Sequence, residues 1–429
     1  QHYALAISAR DEAIAAHDFD AADDACVEIA KTFAVSLGPT RIDMLRSVNL
    51  SGLQPIDELD YFACCGQTVD DALLADDFDS AKAALLLAGP PLRDLHGEEL
   101  SQYLAVRKSQ LTLQERAHAD VAATLNSLKK PGPDPHANLA VGKYICFIRG
   151  DWATGLPFLA RGDDPHIASL AKADLAHPKD AEAQSAAADG WYGLSNTPVV
   201  KGDQVPLRAL YWYEQAEAGL SGAATRHIEA RLKELRPLAD RRSGLLLMCY
   251  AAHLAIEGNS FHAAPMTGGN LGKGDFTEIP QKGAVLIGME VCQPEGIAHP
   301  DKKFVSYYRG IYLTSRGEVL GRAVGTPRGD PVVLRAKHGY AVGAITARGG
   351  GALDAVTVTF MKIRGIKLKA DDSYSSDRLG GYGGEEERDY NGNGVPIIGL
   401  VGKADPKWIG VGVVFMSRVK DAPNKSDSP

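Results

Sequence analysis

Two periodicities divide the chain. From Gln1 to about Asp240 apolar positions recur three or four apart, as in Ala15, Phe19, Ala22, Cys26, Ile29 and Phe33 within Ile14 to Val35, which lines one face of a helix. From Gly283 the period drops to two. Short runs of apolar and β-branched residues, bounded by Gly, Asn, Asp and Pro, then predict strands over Ala284–Val291, Val305–Leu313, Leu320–Val324, Gly339–Ile345, Leu353–Phe360, Pro396–Gly402 and Trp408–Phe415. The predicted organisation is a helical domain over 1–240, a Gly-rich linker over 241–282, an all-β domain over 283–418 and a polar tail over 419–429.

Within the helical domain a short phrase recurs. Phe19 follows His17-Asp18, Phe78 follows Asp76-Asp77, and Trp152 follows Gly150-Asp151, at spacings of 59 and 74 residues. An aromatic set among small and acidic residues, where one helix ends and the next begins, is how tetratricopeptide-like hairpins are punctuated; these longer spacings describe an irregular repeat. Trp152, Trp191, Tyr192, Trp212 and Tyr213 read mainly as packing between helices, with sugar stacking by Trp191 or Trp212 the lesser alternative.

Composition narrows the function. With a net charge of −8 and no long basic run, the chain lacks the face that holds phosphates, so nucleic acid is not an expected partner. The longest apolar stretch, Leu245 to Ile256, is too short for a bilayer and reads as a buried helix or strand. The sequence starts at Gln1, for which a cleaved signal peptide and an expressed fragment are alternative explanations; secretion is the expectation. Six cysteines lack C-x-x-C spacing: Cys26 bridges to Cys64 or Cys65 in an oxidising compartment, or all are small buried apolar side chains.

Motif chemistry is sparse. Gly268 to Gly274 fails as a phosphate loop, since Thr267 stands where the first Gly belongs and Gly274 where Ser or Thr would reach magnesium. Two acidic segments, Asp371–Asp377 and Asp389–Gly394, carry oxygen ligands suited to calcium. The second opens like an EF-hand loop, yet Leu400 occupies the twelfth position, and a hairpin turn accounts for it better. No Gly-x-Ser-x-Gly, His-Glu-x-x-His or Cys/His nucleophile pattern is present, so no catalytic residue, metal ligand or cofactor is assigned.

The order of the C-terminal strands resembles that of the jacalin-related lectins. Tyr340 to Phe360 matches the family's strand-turn-strand with Asp354 in the acidic position, Gly380 to Gly384 its Gly-rich turn, Gly399 to Gly402 its Gly-x-x-Gly, and Ile409 to Phe415 its last strand. The resemblance implies a β-prism of three four-stranded sheets with a monosaccharide site at one end. The family grips the sugar with a loop before the last strand, usually ending Gly-x-x-x-Asp. Here that loop runs Gly402 to Gly410; Gly410 stands near where the aspartate belongs, and Asp405 comes earlier, before a proline that removes one amide donor. A carbohydrate site built from Asp405, Lys407 and Trp408, with Gly381 and Tyr382 of the Gly-rich turn, is one outcome. The other is that Trp408 caps the prism core and the sugar site is lost. Separately, Asp151 to Tyr192 resembles a helical region of predicted secreted proteins of planctomycete bacteria, which implies architecture only.

The expected protein is therefore a multidomain α + β chain, an irregular TPR-like helical domain followed by a jacalin-like β-prism. Its expected role is non-enzymatic binding or adhesion outside the cytoplasm, in the periplasm, at the cell surface or secreted. The prism recognises carbohydrate or a surface partner, and the helices dock protein. The alternatives are a structural, self-associating subunit of an envelope assembly and, less favoured, a polysaccharide-processing enzyme with two acids across a cleft.

Overall fold

The recurring aromatic phrase is a joint between helices. The computed structural model describes residues 2–280, 283–294, 303–403 and 405–417. In each copy the residue before the aspartate takes a left-handed backbone (His17, φ 57°; Asp76, φ 57°; Gly150, φ 83°), which stops the preceding helix. The aspartate then caps the next one: Asp18, Asp77 and Asp151 accept the amides of Ala21, Ser80 and Thr154 at 3.3, 3.1 and 3.0 Å. The aromatic is the first residue of that next helix.

Those joints organise a helical unit of residues 2–52, 64–96 and 101–242. Its helices are α1 (His2–Ala15), α2 (Phe19–Phe33), α3 (Leu37–Ser47), a portion of α4 (Pro55–Leu74), α5 (Phe78–Leu87), α6 (Gly89–Leu95), most of α7 (Glu98–Ser127), α8 (Pro135–Lys143), α9 (Trp152–Leu159), α10 (Pro165–Leu175), α11 (Ala181–Ser195), α12 (Gln204–Ala216) and α13 (Ala223–Arg242). Successive helices pack as neighbours, most extensively α11 with α12. Trp191, Trp212 and Tyr213 are buried in this core, which removes Trp191 and Trp212 as sugar platforms. Both indoles donate Nε1–H to one fully buried carboxylate, Asp174, at 2.8 and 3.0 Å, and Arg208 closes on the same group. One aspartate on α10 thus satisfies buried donors from α11 and α12. The disulfide from Cys26 does not form: Cys26 is a free, buried thiol facing the Thr40 carbonyl.

The second unit holds residues 53–63 and 97–100 and the described residues from 243 onward. It opens with α14 (Leu245–Glu257), followed by fifteen strands among the described residues, all paired antiparallel. The first sheet orders β1 (Phe261–Ala263), β15 (Gly410–Met416), β14 (Ile397–Lys403) and β3 (Asp275–Glu278), with β2 (Thr267–Gly268) also on β15. The second orders β11 (Lys367–Ser375), β10 (Leu353–Arg364), β9 (Tyr340–Gly349) and β13 (Glu386–Asn391), with β12 (Leu379–Gly380) on β10. The third orders β6 (Gly317–Leu320), β5 (Tyr307–Thr314), β4 (Val285–Cys292) and β8 (Val332–Arg335), with β7 (Val324–Gly325) on β5. Three sheets of four main strands share one core, drawing Val413 and Phe415 from the first, Val358 and Phe360 from the second, and Met289 and Tyr312 from the third. This is the β-prism that the resemblance implied.

The apolar run in β4 has a direct cause. Leu286 and Met289 face the shared core, whereas Val285 and Ile287 face Leu245, Met248 and Cys249 of α14, so both sides of the strand are buried. The apolar stretch at 245–256 is that covering helix.

Two readings need correction. Residues 241–282 are not a linker: α14, β1, β2 and β3 lie there, and three of those strands complete the first sheet. Their pairing partners are β14 and β15, more than a hundred residues downstream, so no local pattern announces them. The acidic segments are not free loops either. Asp371 and Asp372 lie on β11, and Asp389 lies on β13, where it accepts from the Thr346 hydroxyl at 3.2 Å. The Asn393-Gly394 turn is left-handed as expected, but β13 and β14 belong to different sheets, so it joins sheets and closes no hairpin. The tail 419–429 lies outside the described residues.

Tyrosine hydroxyls stitch the sheets together. Tyr308 of the third sheet donates to the Gly410 carbonyl of the first at 2.7 Å; Tyr390 of the second bonds the Thr267 hydroxyl at 2.8 Å and the Pro265 carbonyl at 2.7 Å. Tyr390→Phe strands these buried acceptors, and we expect a loss of about 1–3 kcal/mol in a urea titration. Asp174→Ala leaves two indoles and a guanidinium without their acceptor, for an expected loss of about 3–5 kcal/mol by the same measurement.

Candidate carbohydrate site

One end of the prism is closed by four loops whose backbones touch. They are 269–274 between β2 and β3, 350–352 between β9 and β10, 381–385 between β12 and β13, and 405–409 ahead of β15. The Asn270 amide donates to the Gly350 carbonyl at 3.3 Å, and the Gly381 amide to the Asp354 carbonyl at 2.9 Å. Two glycines make this closeness possible. At Gly268 (φ +75°) a Cβ would sit 2.8 Å from the Ala352 carbonyl oxygen, and at Gly384 (φ +73°) 2.6 Å from both Asp354 Oδ2 and the Gly349 carbonyl carbon.

Arg348 fixes the third loop from below, donating to the carbonyls of Gly383 and Gly384 at 2.8 and 3.0 Å. Arg378 donates to the Gly381 carbonyl at 2.8 Å and lays its guanidinium 4.7 Å from the Tyr382 ring centre. Tyr382 is 61% exposed at the rim. Gly381 is buried and structural. Asp354 is half-buried beside this loop, where burial pushes its carboxyl above the ordinary aspartate range while Arg348 pulls the other way.

The fourth loop is organised by its own aspartate. Asp405 Oδ1 accepts the amides of Lys407 and Trp408, both at 2.9 Å. These backbone donors, with a third from Lys273, hold Asp405 below the ordinary aspartate range. Its Oδ1 is turned onto the loop and keeps the turn closed. Trp408 is half-buried and Lys407 is exposed, its ammonium 4.9 Å from the indole centre. Lys403 is engaged by Asp275 at 2.6 Å.

All five sequence-predicted residues therefore belong to one end of the prism. Asp405, Lys407 and Trp408 share a loop, and Gly381 and Tyr382 stand on another, with the 350–352 turn between: a Cβ at Gly351 would lie 3.7 Å from Trp408 Cζ3, and one at Gly350 would lie 3.7 Å from Gly384 Cα. Sequence reasoning misses the contribution of 269–274. A Cβ at Gly272 would collide with the Trp408 carbonyl, and Leu271, 63% exposed, borders Gly351. The signal is present in Gly268-Gly269 and Gly272, but a strand, β3, follows them, and the helix that a phosphate loop needs does not. Among the described residues no group of three or more His, Cys, Asp or Glu is placed to hold a metal ion, and no helix is long and apolar enough to cross a membrane.

No family model matches the chain, and no curated protein matches it. Solved structures do. The C-terminal portion is similar to Malaysian banana lectin, at 12% identity over 37% of this chain and 99% of that one, with a TM-score of 0.28. It is similar to Calystegia sepium agglutinin at 14% identity, 37% and 97% coverage and a TM-score of 0.28. A mannose-binding jacalin-related lectin from Ananas comosus matches at 13% identity, 37% and 99% coverage and a TM-score of 0.27. At such identities and TM-scores the likeness carries neither a ligand nor a role with it.

Because the folded loop lowers the Asp405 pKa, its ordering is in place at neutral pH and is lost as pH falls through that lowered value. Hydrogen exchange should show protected Lys407 and Trp408 amides at pH 7. It should show faster exchange, after correction for intrinsic rates, below the ordinary aspartate range. Asp405→Ala should exchange fast at both pH values; equal protection in the variant would remove the capping role.

Proposed function

We propose that the prism is a carbohydrate-recognition module acting outside the cytoplasm, and that the helical unit docks a protein partner. The observation that supports this most is Trp408: it stands on a loop pinned by Asp405, half-buried and not sunk into the core, with a cation over its ring. Sugar recognition needs a preorganised aromatic face with polar groups at its edge. Tyr382, exposed on the neighbouring loop, supplies a second such face. In this reading the protein performs no chemistry on what it binds.

A second reading has its own support. Val319 and Leu320 on β6, and Val332 and Val333 on β8, are 42, 49, 41 and 55% exposed on the two edge strands of the third sheet. Apolar edges invite pairing with another copy, as in a structural subunit of a surface assembly.

A glycan array probed with the intact chain separates the readings. Selective retention, lost in Trp408→Ala with the fold intact by circular dichroism, is the expected result. Retention of no glycan, together with a concentration-dependent rise in mass on sedimentation, would favour assembly.

A further inference from the structure

The charges around Trp408 say which saccharides the loop end takes. In its loop one oxygen of the carboxylate that would accept sugar hydroxyls is committed: Asp405 Oδ1 holds the amides of Lys407 and Trp408. The next residue, Pro406, has no amide to offer. Lys403 is neutralised by Asp275. Two cations are left over. Lys407 is exposed, and among the described residues no carboxylate stands within salt-bridge distance of it; its ammonium rests 4.9 Å from the indole centre. Lys273, exposed on the adjoining loop, likewise shows no ion pair among the described residues, while its amide side of the loop faces Asp405. The same loops also carry Asp405, which is drawn to Lys407, and the exposed Glu385 of the 381–385 loop, so the positive charge that meets the aromatic face is that of Lys407, over the indole.

Shape agrees with charge. Leu271 and the indole edge border the bare backbone of Gly351 from two sides, at 3.1 and 3.7 Å from where a Cβ would be. Leu271 and Trp408 thus flank a stretch of backbone that carries no side chain, with the Lys407 ammonium over the indole. A neutral sugar would find a stacking face but few acceptors for its hydroxyls. An acidic one exchanges the weak ammonium–indole contact for an ion pair while its ring covers Trp408.

From this we infer that the loop end binds anionic saccharides, bearing a carboxylate or sulfate, with Trp408 stacking the ring and Lys407 and Lys273 pairing the anion. The inference rests on the carbohydrate reading above and narrows it.

The test uses the intact chain in isothermal titration against three probes: oligogalacturonate, its carboxyl-reduced neutral counterpart, and a sulfated galactose oligomer. The acidic probes should bind at least about fivefold tighter than the neutral one, with the advantage shrinking as salt rises. Lys407→Gln should remove most of that advantage, and Lys407→Glu should reverse it. Both change an exposed side chain, so they keep the test open if Trp408→Ala fails to fold. The two acidic arms tell carboxylate from sulfate as the preferred anion. Equal binding of acidic and neutral probes, unchanged in Lys407→Gln, would overturn the inference while leaving a neutral-sugar lectin standing. No binding of any probe, together with an empty glycan array, would remove both.

Discussion

The second unit depends on close approach of backbone to backbone. Three sheets meet around one core, and at one end their loops approach so tightly that Gly268 and Gly384 cannot carry a side chain. Such closeness brings polar peptide groups out of water, and each must find a partner. Buried tyrosines supply several: the hydroxyls of Tyr308 and Tyr390 reach carbonyls in the first sheet, and burial pushes both phenols up in pKa, so they stay neutral donors. Fold and site therefore share one cause. The contacts that lock the sheets also hold the four loops in register.

What the site can do follows from which groups that frame consumes. Asp405 and Lys403 are spent on ordering the loops, and Arg348 and Arg378 on holding the Gly381–Gly384 turn. The side chains left at the solvent edge include an aromatic on each of two loops, Tyr382 and Trp408, together with Leu271, Lys273, Lys407, Asn270 and Glu385. An aspartate in a binding loop is easily read as a ligand; here it is better understood as the brace that presents Trp408.

Much of the architecture is legible in the sequence because period speaks for local structure. The switch from a period of three or four to two separates helices from strands, and Asp18-Phe19, Asp77-Phe78 and Asp151-Trp152 mark joints that are caps in the structure. What is illegible is nonlocal. Strands β1, β2 and β3 are two to four residues long and sit among glycines, and only pairing with the far end of the chain makes them strands. For the same reason the loop carrying Leu271 and Lys273 reads as a linker, although it packs against Gly351 and the Trp408 backbone. Asp371 and Asp389 mislead in the opposite direction, since charged residues on the solvent face of a strand resemble a loop when the partner strands are unseen.

The most direct test of the account is to watch the indoles. The chain has four tryptophans, and two of them, Trp191 and Trp212, donate to Asp174 deep in the helical unit. With ¹⁵N-labelled tryptophan, the intact protein should give four indole N–H signals, the Trp408 signal being assigned from its loss in Trp408→Phe. Titrating in an array-selected glycan should move that signal and leave those of Trp191 and Trp212 in place. A bound glycan that leaves Trp408 still, or moves an indole of the helical unit, would contradict the placement of the site at the loop end of the prism.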